Sequence, residues 1–195
     1  PVFNSASAIE KCDDKGLTYI ELDKIVPQPK TLISPKCYFK SDMSEFVKKA
    51  IDILGLPLVF KESFGSFGAQ VFLCNSENDK PFILQKFIKE SKGTDKRIEI
   101  IGGEYICAAR RENKNDFRSN VTNGGTMTPC TPSKAEIETA IKACNTLGLT
   151  FGGVDVLDDG SVCEVNSNAH IINIMNSTKI DIAPYIFETI KGKIL

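Results

Sequence analysis

A chain of 195 residues with 42% apolar and 25% charged side chains has the make-up of an ordinary globular protein, enough for one large domain or two small ones. A formal net charge of −1 argues against a nucleic-acid or membrane-surface partner, so any polyanion it binds must be small and met by a local cluster. Seven cysteines, an odd number without CxxC spacing, argue against a disulfide framework or a zinc site and fit reduced thiols in the cytoplasm. No apolar run approaches membrane-spanning length, and the chain opens at Pro1 inside a structured-looking stretch, as a piece of a longer protein would.

In chain order, Asn4 to Val26 read as helix in two pieces, "SASAIEKC" and "DKGLTYIELDKI". The prolines of "VPQPKTLIS" make the next segment extended, a linker into the following unit. From Ser41 to Leu54, Phe46, Val47, Ala50, Ile51 and Leu54 recur at helical spacing, and Gly55 is placed to end that helix. "LPLVFKES" and "AQVFLC" are strand-like runs joined by a glycine loop, and "KPFILQKFI" makes a third strand, so 41–85 forms a compact α+β unit. "RIEIIGGEYICAARR" is a hairpin turning at Gly-Gly. "SKAEIETAIKACNTLG" is a helix with a capping box, Ser133 and Glu136, stopped by Gly148. "FGGVDVLDDGSVCEVN" is a second hairpin turning at Asp158-Asp159-Gly160, and "IDIAPYIFETIKGKI" closes the chain as a helix. The pattern is α+β with mostly antiparallel hairpins, not a βαβ series.

Chemistry concentrates in a few stretches. In "KESFGSFGAQV", Gly65 and Gly68 let backbone N–H groups approach one anion, and Lys61 supplies a point charge to a phosphate. A tight hairpin with a solvated lysine is the competing reading. The lysine precedes the glycines, unlike the order of a Walker loop or a protein kinase. In the second hairpin, Glu164 and Asn166 project to one side of an extended strand, and Asp155 on the other arm lies opposite or diagonal to them. Such oxygen ligands suit Mg²⁺, and the flanking valines indicate packing that would demand a cation for buried carboxylates. Arg118, amid Ser119, Asn120 and Asn123, has the setting of a phosphate or carboxylate clamp, or of a solvated turn. Asp95 suits a ribose hydroxyl or a strand cap. His170, without a Ser or Cys nucleophile motif nearby, reads as structural or exposed. None of the cysteines has a catalytic setting, and they read as core or surface thiols.

Together "PVFNSASAI", "DDKGLT", "PQPKT", "LVFKESFGSFG", "QKFIKESKGTDKR", "FRSNVTNGG", "GLTFGGVDV" and "EVNSNAH" resemble the ATP-grasp fold. Within it they are similar to RimK-type α-L-glutamate ligases, the ribosomal-protein modification family, without that family's N-terminal domain. The resemblance implies two α+β subdomains with mostly antiparallel sheets enclosing a nucleotide cleft. Residues 1–40 form a helical and linker segment of the core, 41–86 a lid subdomain, and 87–195 a C-terminal subdomain with the metal site. It implies ATP with Mg²⁺, for which Mn²⁺ can substitute. Lys15 and Lys61 would meet phosphates, and the loop Ser63, Gly65, Ser66 and Gly68 would close as a mobile lid. Lys86 and Phe87 would meet adenine, Asp95 the ribose, and Arg118, Ser119 and Asn120 the nucleotide and reaction centre. Asp155, Glu164 and Asn166 would bind the metal, while Arg118 and Arg97 would act catalytically on the transferred phosphoryl group. Lysine stands at position 86 where relatives often have glutamate, and the short "NSENDKP" replaces an expected lid helix. The implied reaction joins a carboxylate to an amine through an acyl phosphate, adding glutamate to a protein or peptide acceptor. The alternatives are a ligase for another acid–amine pair or a domain that binds ATP without turnover. Oligomeric state is not readable from these residues.

Overall fold

A computed structural model describes residues 2–34, 40–65, 70–74, 83–168 and 170–194, with backbone alone at 40–43. Ser5 starts α1 (Ala6–Asp13) by accepting the Ala8 N–H on its hydroxyl at 3.3 Å. Asp14 caps α2 (Lys15–Leu22) in the same way, its Oδ1 accepting from the N–H groups of Gly16 and Leu17 at 2.8 and 3.2 Å. These are the two helical pieces expected from the sequence.

The first unit contains β1 (Thr31–Ile33), α3 (Lys40–Leu54), β2 (Leu58–Lys61), β3 (Val71–Cys74) and β4 (Ile83–Lys86). Its strands form an antiparallel sheet in the order β1-β4-β2-β3. Phe46, Ala50, Ile51 and Leu54 of α3 pack on Leu58, Phe60 and Leu84, and Gly55, at φ 76°, ends the helix by donating its N–H to Ile51 O at 2.8 Å. β1 corrects the linker reading: Thr31 and Leu32 pair with Gln85 and Leu84. The prolines at 27 and 29 remove donors only upstream of the strand, and Thr31-Leu32-Ile33 is free to take a sheet edge, where neighbouring prolines are tolerated.

The second unit is a five-stranded antiparallel sheet in the order β7-β6-β5-β8-β9. Its strands are β5 (Thr94–Ile101), β6 (Glu104–Glu112), β7 (Thr126–Pro129), β8 (Phe151–Val156) and β9 (Val162–Asn166). Gly102 and Gly103 turn the first hairpin with φ of 62° and 83°, a conformation that side chains with a Cβ rarely adopt. α4 (Lys134–Leu147) carries the expected Ser133–Glu136 capping box and ends at Gly148. In this unit one strand and one α-helix escaped the sequence reading. β7 is a short, largely exposed edge without clear alternation. α5 (Ile171–Thr178) is held mainly by Ile171, Ile174 and Met175 against Ile101 and Cys107. α6 (Ala183–Ile194) closes the chain as expected.

Strand alternation gives this sheet two unlike faces. One face sets Ile98, Ile100, Val154, Val156, Val162 and Val165 against Ala8, Leu22, Ala140, Cys144 and Leu147; each large side chain so buried contributes about 1.5–3 kcal/mol. The opposite register of β5 and its neighbours presents Asp95, Arg97, Glu99, Arg111 and Asp155, all buried. Cys12, Cys74, Cys107, Cys130, Cys144 and Cys163 are not in disulfides. Among the described residues, no helix is long and apolar enough to cross a membrane.

Candidate functional site

The ionic face of the second sheet meets the first sheet across a cavity of about 100 Å³. Lys61 and Gln85 wall it from one side, and Asp95, Arg111 and Asp155 from the other. A larger cavity, about 600 Å³, opens beside it, and the two share Lys15, Gly65, Arg111, Asn120 and Glu164.

Lys61 ends β2 and is only 7% exposed. Its Nζ donates to Cys163 O at 3.2 Å and lies 3.4 Å from Cys163 Sγ. Burial alone would pull the ammonium pKa down, but nearby Cys163, Glu164 and Asp155 outweigh it and hold the pKa above its ordinary value. Lys15 opens α2, so Asp14's cap fixes its backbone. Its N–H donates to Ser63 O at 2.9 Å, its Nζ to Gly65 O at 2.8 Å, and the same Nζ stands 3.7 Å from Glu164 Oε1. Ser63 and Gly65 are thus tied to Lys15. Ser66 and Gly68, and the "NSENDKP" stretch at 75–81, lie outside the described residues.

β5, β6 and β8 place a buried ion row by register: Asp95 faces Arg111, and Arg97 faces Asp155. Arg111 grips Asp95 with Nε on Oδ1 (2.6 Å) and Nη2 on Oδ2 (2.5 Å), and Ser119 donates its hydroxyl to Oδ2 at 2.5 Å. Asp95 Oδ1 keeps room for a further donor. Arg97 brackets Asp155 with Nε on Oδ1 and with Nη2 at 3.1 Å from Oδ2, where Arg111 Nη2 also arrives at 2.8 Å. Burial would raise the Asp155 carboxyl, but Arg111 and Arg97 prevail and hold it below the usual carboxylate range.

On β9, Glu164 sits opposite Asp155 and Asn166 opposite Gly153, with the Asn166 amide 3.5 Å from Asp155 Oδ2. Among the described residues no three His, Cys, Asp or Glu side chains are grouped for a metal. The candidate donor set is therefore two carboxylates and one amide, hard oxygen ligands that fit Mg²⁺ or Mn²⁺. Arg118 is turned onto its own loop: it pairs with Asp116 at 2.6 Å, lies 5.7 Å over the Phe117 ring, and donates to Val71 O at 3.4 Å. It still lines the smaller cavity with Ser119 and Asn120. Lys86 is exposed and spends its N–H on Lys30 O at 2.8 Å, while Phe87 meets Phe117 edge-on at 6.4 Å. His170 is exposed at the start of α5, on the wall of the larger cavity.

Sequence reasoning missed Arg111, which touches both buried aspartates. A signal was present: in "ICAARRE" adjacent arginines on a strand must face opposite ways. Arg110 goes outward to Asp158 at 2.7 Å, which leaves Arg111 pointing inward. Cys163 is more than a core or surface thiol, for it touches Lys61 and lines the smaller cavity.

The family profile described as RimK-like ATP-grasp domain matches residues 13–190. The human N-acetylaspartylglutamate synthase A is 32% identical over 94% of this chain and 50% of its own length. A probable alpha-L-glutamate ligase from Maridesulfovibrio salexigens is 32% identical over 76% of this chain and 55% of its own. The chain therefore spans about half the length of these curated relatives. Among solved structures, the ATP-grasp ligase PsnB complexed with minimal precursor, Mg and ADP superposes with a TM-score of 0.74. That match has 20% identity and covers 97% of this chain and 61% of the other; it shows a common fold.

Proposed function

Since the chain belongs to the RimK-like ATP-grasp family, we propose that it is the nucleotide-binding core of an ATP-dependent carboxylate–amine ligase working through an acyl phosphate. The observation that carries this reading is the placement of Lys61, Lys15 and the Arg97–Asp155–Arg111 cluster along two cavities that share walls. The lining of the smaller cavity includes apolar groups, Val59, Phe87, Ile88, Phe117 and Leu157, a surface suited to a purine. In this reading Lys86 and Phe87 meet the base and Asp95 Oδ1 accepts a ribose hydroxyl. Lys61, Lys15 and the loop from Ser63 through Gly65, Ser66 and Gly68 face the phosphates. Asp155, Glu164 and Asn166 would hold Mg²⁺ or Mn²⁺, which neutralises phosphate charge when bound.

The larger cavity is assigned to the acid and the amine. A carboxylate oxygen of the acid attacks the γ-phosphorus as the bond to ADP breaks. The amine then attacks the acyl carbon, phosphate leaves with the carboxylate oxygen, and the amine loses its proton. Arg97 and Arg118, with Ser119 and Asn120 beside them, stabilise the negative charge in transfer. No side-chain nucleophile is needed, so positioning and electrostatics supply the acceleration. The names of the relatives support glutamate as one joined partner, and the resemblance supports a protein or peptide acceptor. Residues 41–86 would act as the smaller, phosphate-covering subdomain and 87–195 as the metal-bearing one, in a cytoplasmic protein. A ligase for another acid and amine is the second reading; Asn120, Asn168 and Asn173 on the larger cavity's wall suit many polar partners.

The test is calorimetric titration with a non-hydrolysable ATP analogue, with and without Mg²⁺, followed by ADP release assays over a panel of acids and amines. Metal-dependent binding with ADP release only when glutamate is supplied supports the first reading. ADP release with a different pair supports the second, and folded protein that binds no nucleotide overturns both.

A further inference from the structure

Asp155 is already crowded by donors, two of them cationic. Arg97 binds both of its oxygens, Arg111 Nη2 sits 2.8 Å from Oδ2, and the Asn166 amide lies 3.5 Å from the same oxygen. Asp155 is 2% exposed, Arg97 9% and Arg111 6%, so solvent and salt screen these contacts weakly. In formal charge, Asp95 and Asp155 offset Arg97 and Arg111, Glu164 offsets Lys15, and the buried Lys61 ammonium adds a positive charge that the one remaining acid of this face, Glu99, at most balances. A bare divalent cation would therefore enter a cluster with no surplus of negative charge, whose buried carboxylate already carries two guanidinium partners.

Those guanidinium groups also border open space. Arg97 lines the larger cavity and Arg111 lines both. A polyphosphate entering the shared region offers the oxygen geometry that suits a planar arginine fork. Resting on the metal assignment proposed above, we propose that Arg97 and Arg111 are resident counterions that close Asp155 to a bare divalent cation. A polyphosphate opens the site by drawing these arginines onto itself, so that anion and cation bind as a coupled pair. The coupling is reciprocal: each ligand raises the affinity for the other by the same factor. Arg111, which also holds Asp95, is the positioning residue that connects the two ends of the ion row.

The test is Mn²⁺ binding to the whole chain, followed by the electron paramagnetic resonance of free Mn²⁺. It is run with and without a non-hydrolysable ATP analogue, against a protein-free nucleotide control. Wild type should bind Mn²⁺ at least about tenfold more tightly in the nucleotide complex than alone. Arg111→Met should bind Mn²⁺ without nucleotide about tenfold more tightly than wild type, whereas Arg111→Lys, which keeps the charge, should not. Arg97→Met makes the same test with the Asp95–Arg111 pair intact, should Arg111→Met fail to fold by circular dichroism. Glu164→Gln separates the two ways of failing. If it leaves Mn²⁺ binding in the nucleotide complex unchanged, the metal assignment falls and this proposal with it. If it weakens that binding, yet wild type holds Mn²⁺ equally well without nucleotide, the counterion proposal alone is overturned. A folded Met variant that binds Mn²⁺ no more tightly than wild type overturns it too.

Discussion

Arg111 and Asp155 meet across an intervening strand: from β6 the guanidinium reaches over β5, and Nη2 stands 2.8 Å from Asp155 Oδ2 on β8. The same group forks onto Asp95 at 2.5 and 2.6 Å, so one side chain holds two buried carboxylates. Arg111→Ala leaves both without that partner. Removing one member of a buried ion cluster costs about 3–5 kcal/mol, which at this chain length lowers Tm by about 10 °C. Arg111→Lys restores charge but not the fork and should recover only part of the loss. Scanning calorimetry that finds Arg111→Ala as stable as wild type would contradict the role given to this cluster.

Gly93 is pinned where the 113–117 loop crosses the start of β5. Its N–H donates to Phe117 O and its carbonyl accepts from the Asn113 N–H, both at 2.8 Å. A Cβ at this position would press on the Asn113 carbonyl oxygen and lie 2.7 Å from that of Asp116, with φ at +72°. Gly93→Ala therefore costs about 2–4 kcal/mol from left-handed strain and overpacking. Because this loop leads into Arg118 and Ser119, the variant should also bind the ATP analogue more weakly. A thermal melt and a titration check both halves.

The strand alternation that buries Val154 and Val156 also sets Asp155 on the opposite face, and Glu164 and Asn166 follow by the same period of two. That shared facing of the three side chains could be read from the sequence. So could α4, whose Ser133 and Glu136 cap it locally. The adjacent arginines at 110 and 111 signal that one of them faces inward, but that it is Arg111 and that it meets Asp95 and Asp155 is settled by sheet register, a nonlocal property. The register shift in the β8–β9 pairing, which accompanies Cys163's contact with Lys61, likewise has no local signature. β1 was hidden by the prolines before it, and α5 by depending on distant Ile101 and Cys107 for its packing.

Lys61 offers a cation to the smaller cavity while resting on the Cys163 carbonyl at 3.2 Å. A hydrogen bond to a charged group is worth about 1.5–3 kcal/mol, so Lys61→Ala should weaken binding of the ATP analogue by about 10- to 100-fold. The ligand-induced rise in Tm should shrink accordingly. With its pKa held above the ordinary lysine value, the ammonium stays charged through neutral and mildly alkaline pH. Its contribution to binding should therefore not fade there. An unaltered affinity in the variant would remove Lys61 from the nucleotide site.

Glu99 lies one alternation beyond Arg97 on β5, 2% exposed, and its Oε1 has no hydrogen-bond partner among the described residues. Cys107 and Gly153 are its cross-strand neighbours, so the surroundings offer the carboxyl little. Burial pushes its pKa up; Arg97 opposes this, and Asp155 adds to it. For an acid whose folded pKa exceeds its unfolded one, the folded state holds the proton more tightly. The stability tied to that proton is complete below the unfolded pKa and is lost as pH rises through the folded one. Glu99→Leu removes the buried carboxyl and extends the apolar cluster of Ile101, Cys107 and Ile174. It should stabilise the fold by about 1–3 kcal/mol at pH about 8, raising Tm by roughly 2–4 °C per kcal/mol, and by less near the ordinary carboxylate pKa. Melting curves of wild type and variant across that pH range decide it: a variant that is less stable at every pH would mean that Glu99 makes a stabilising contact.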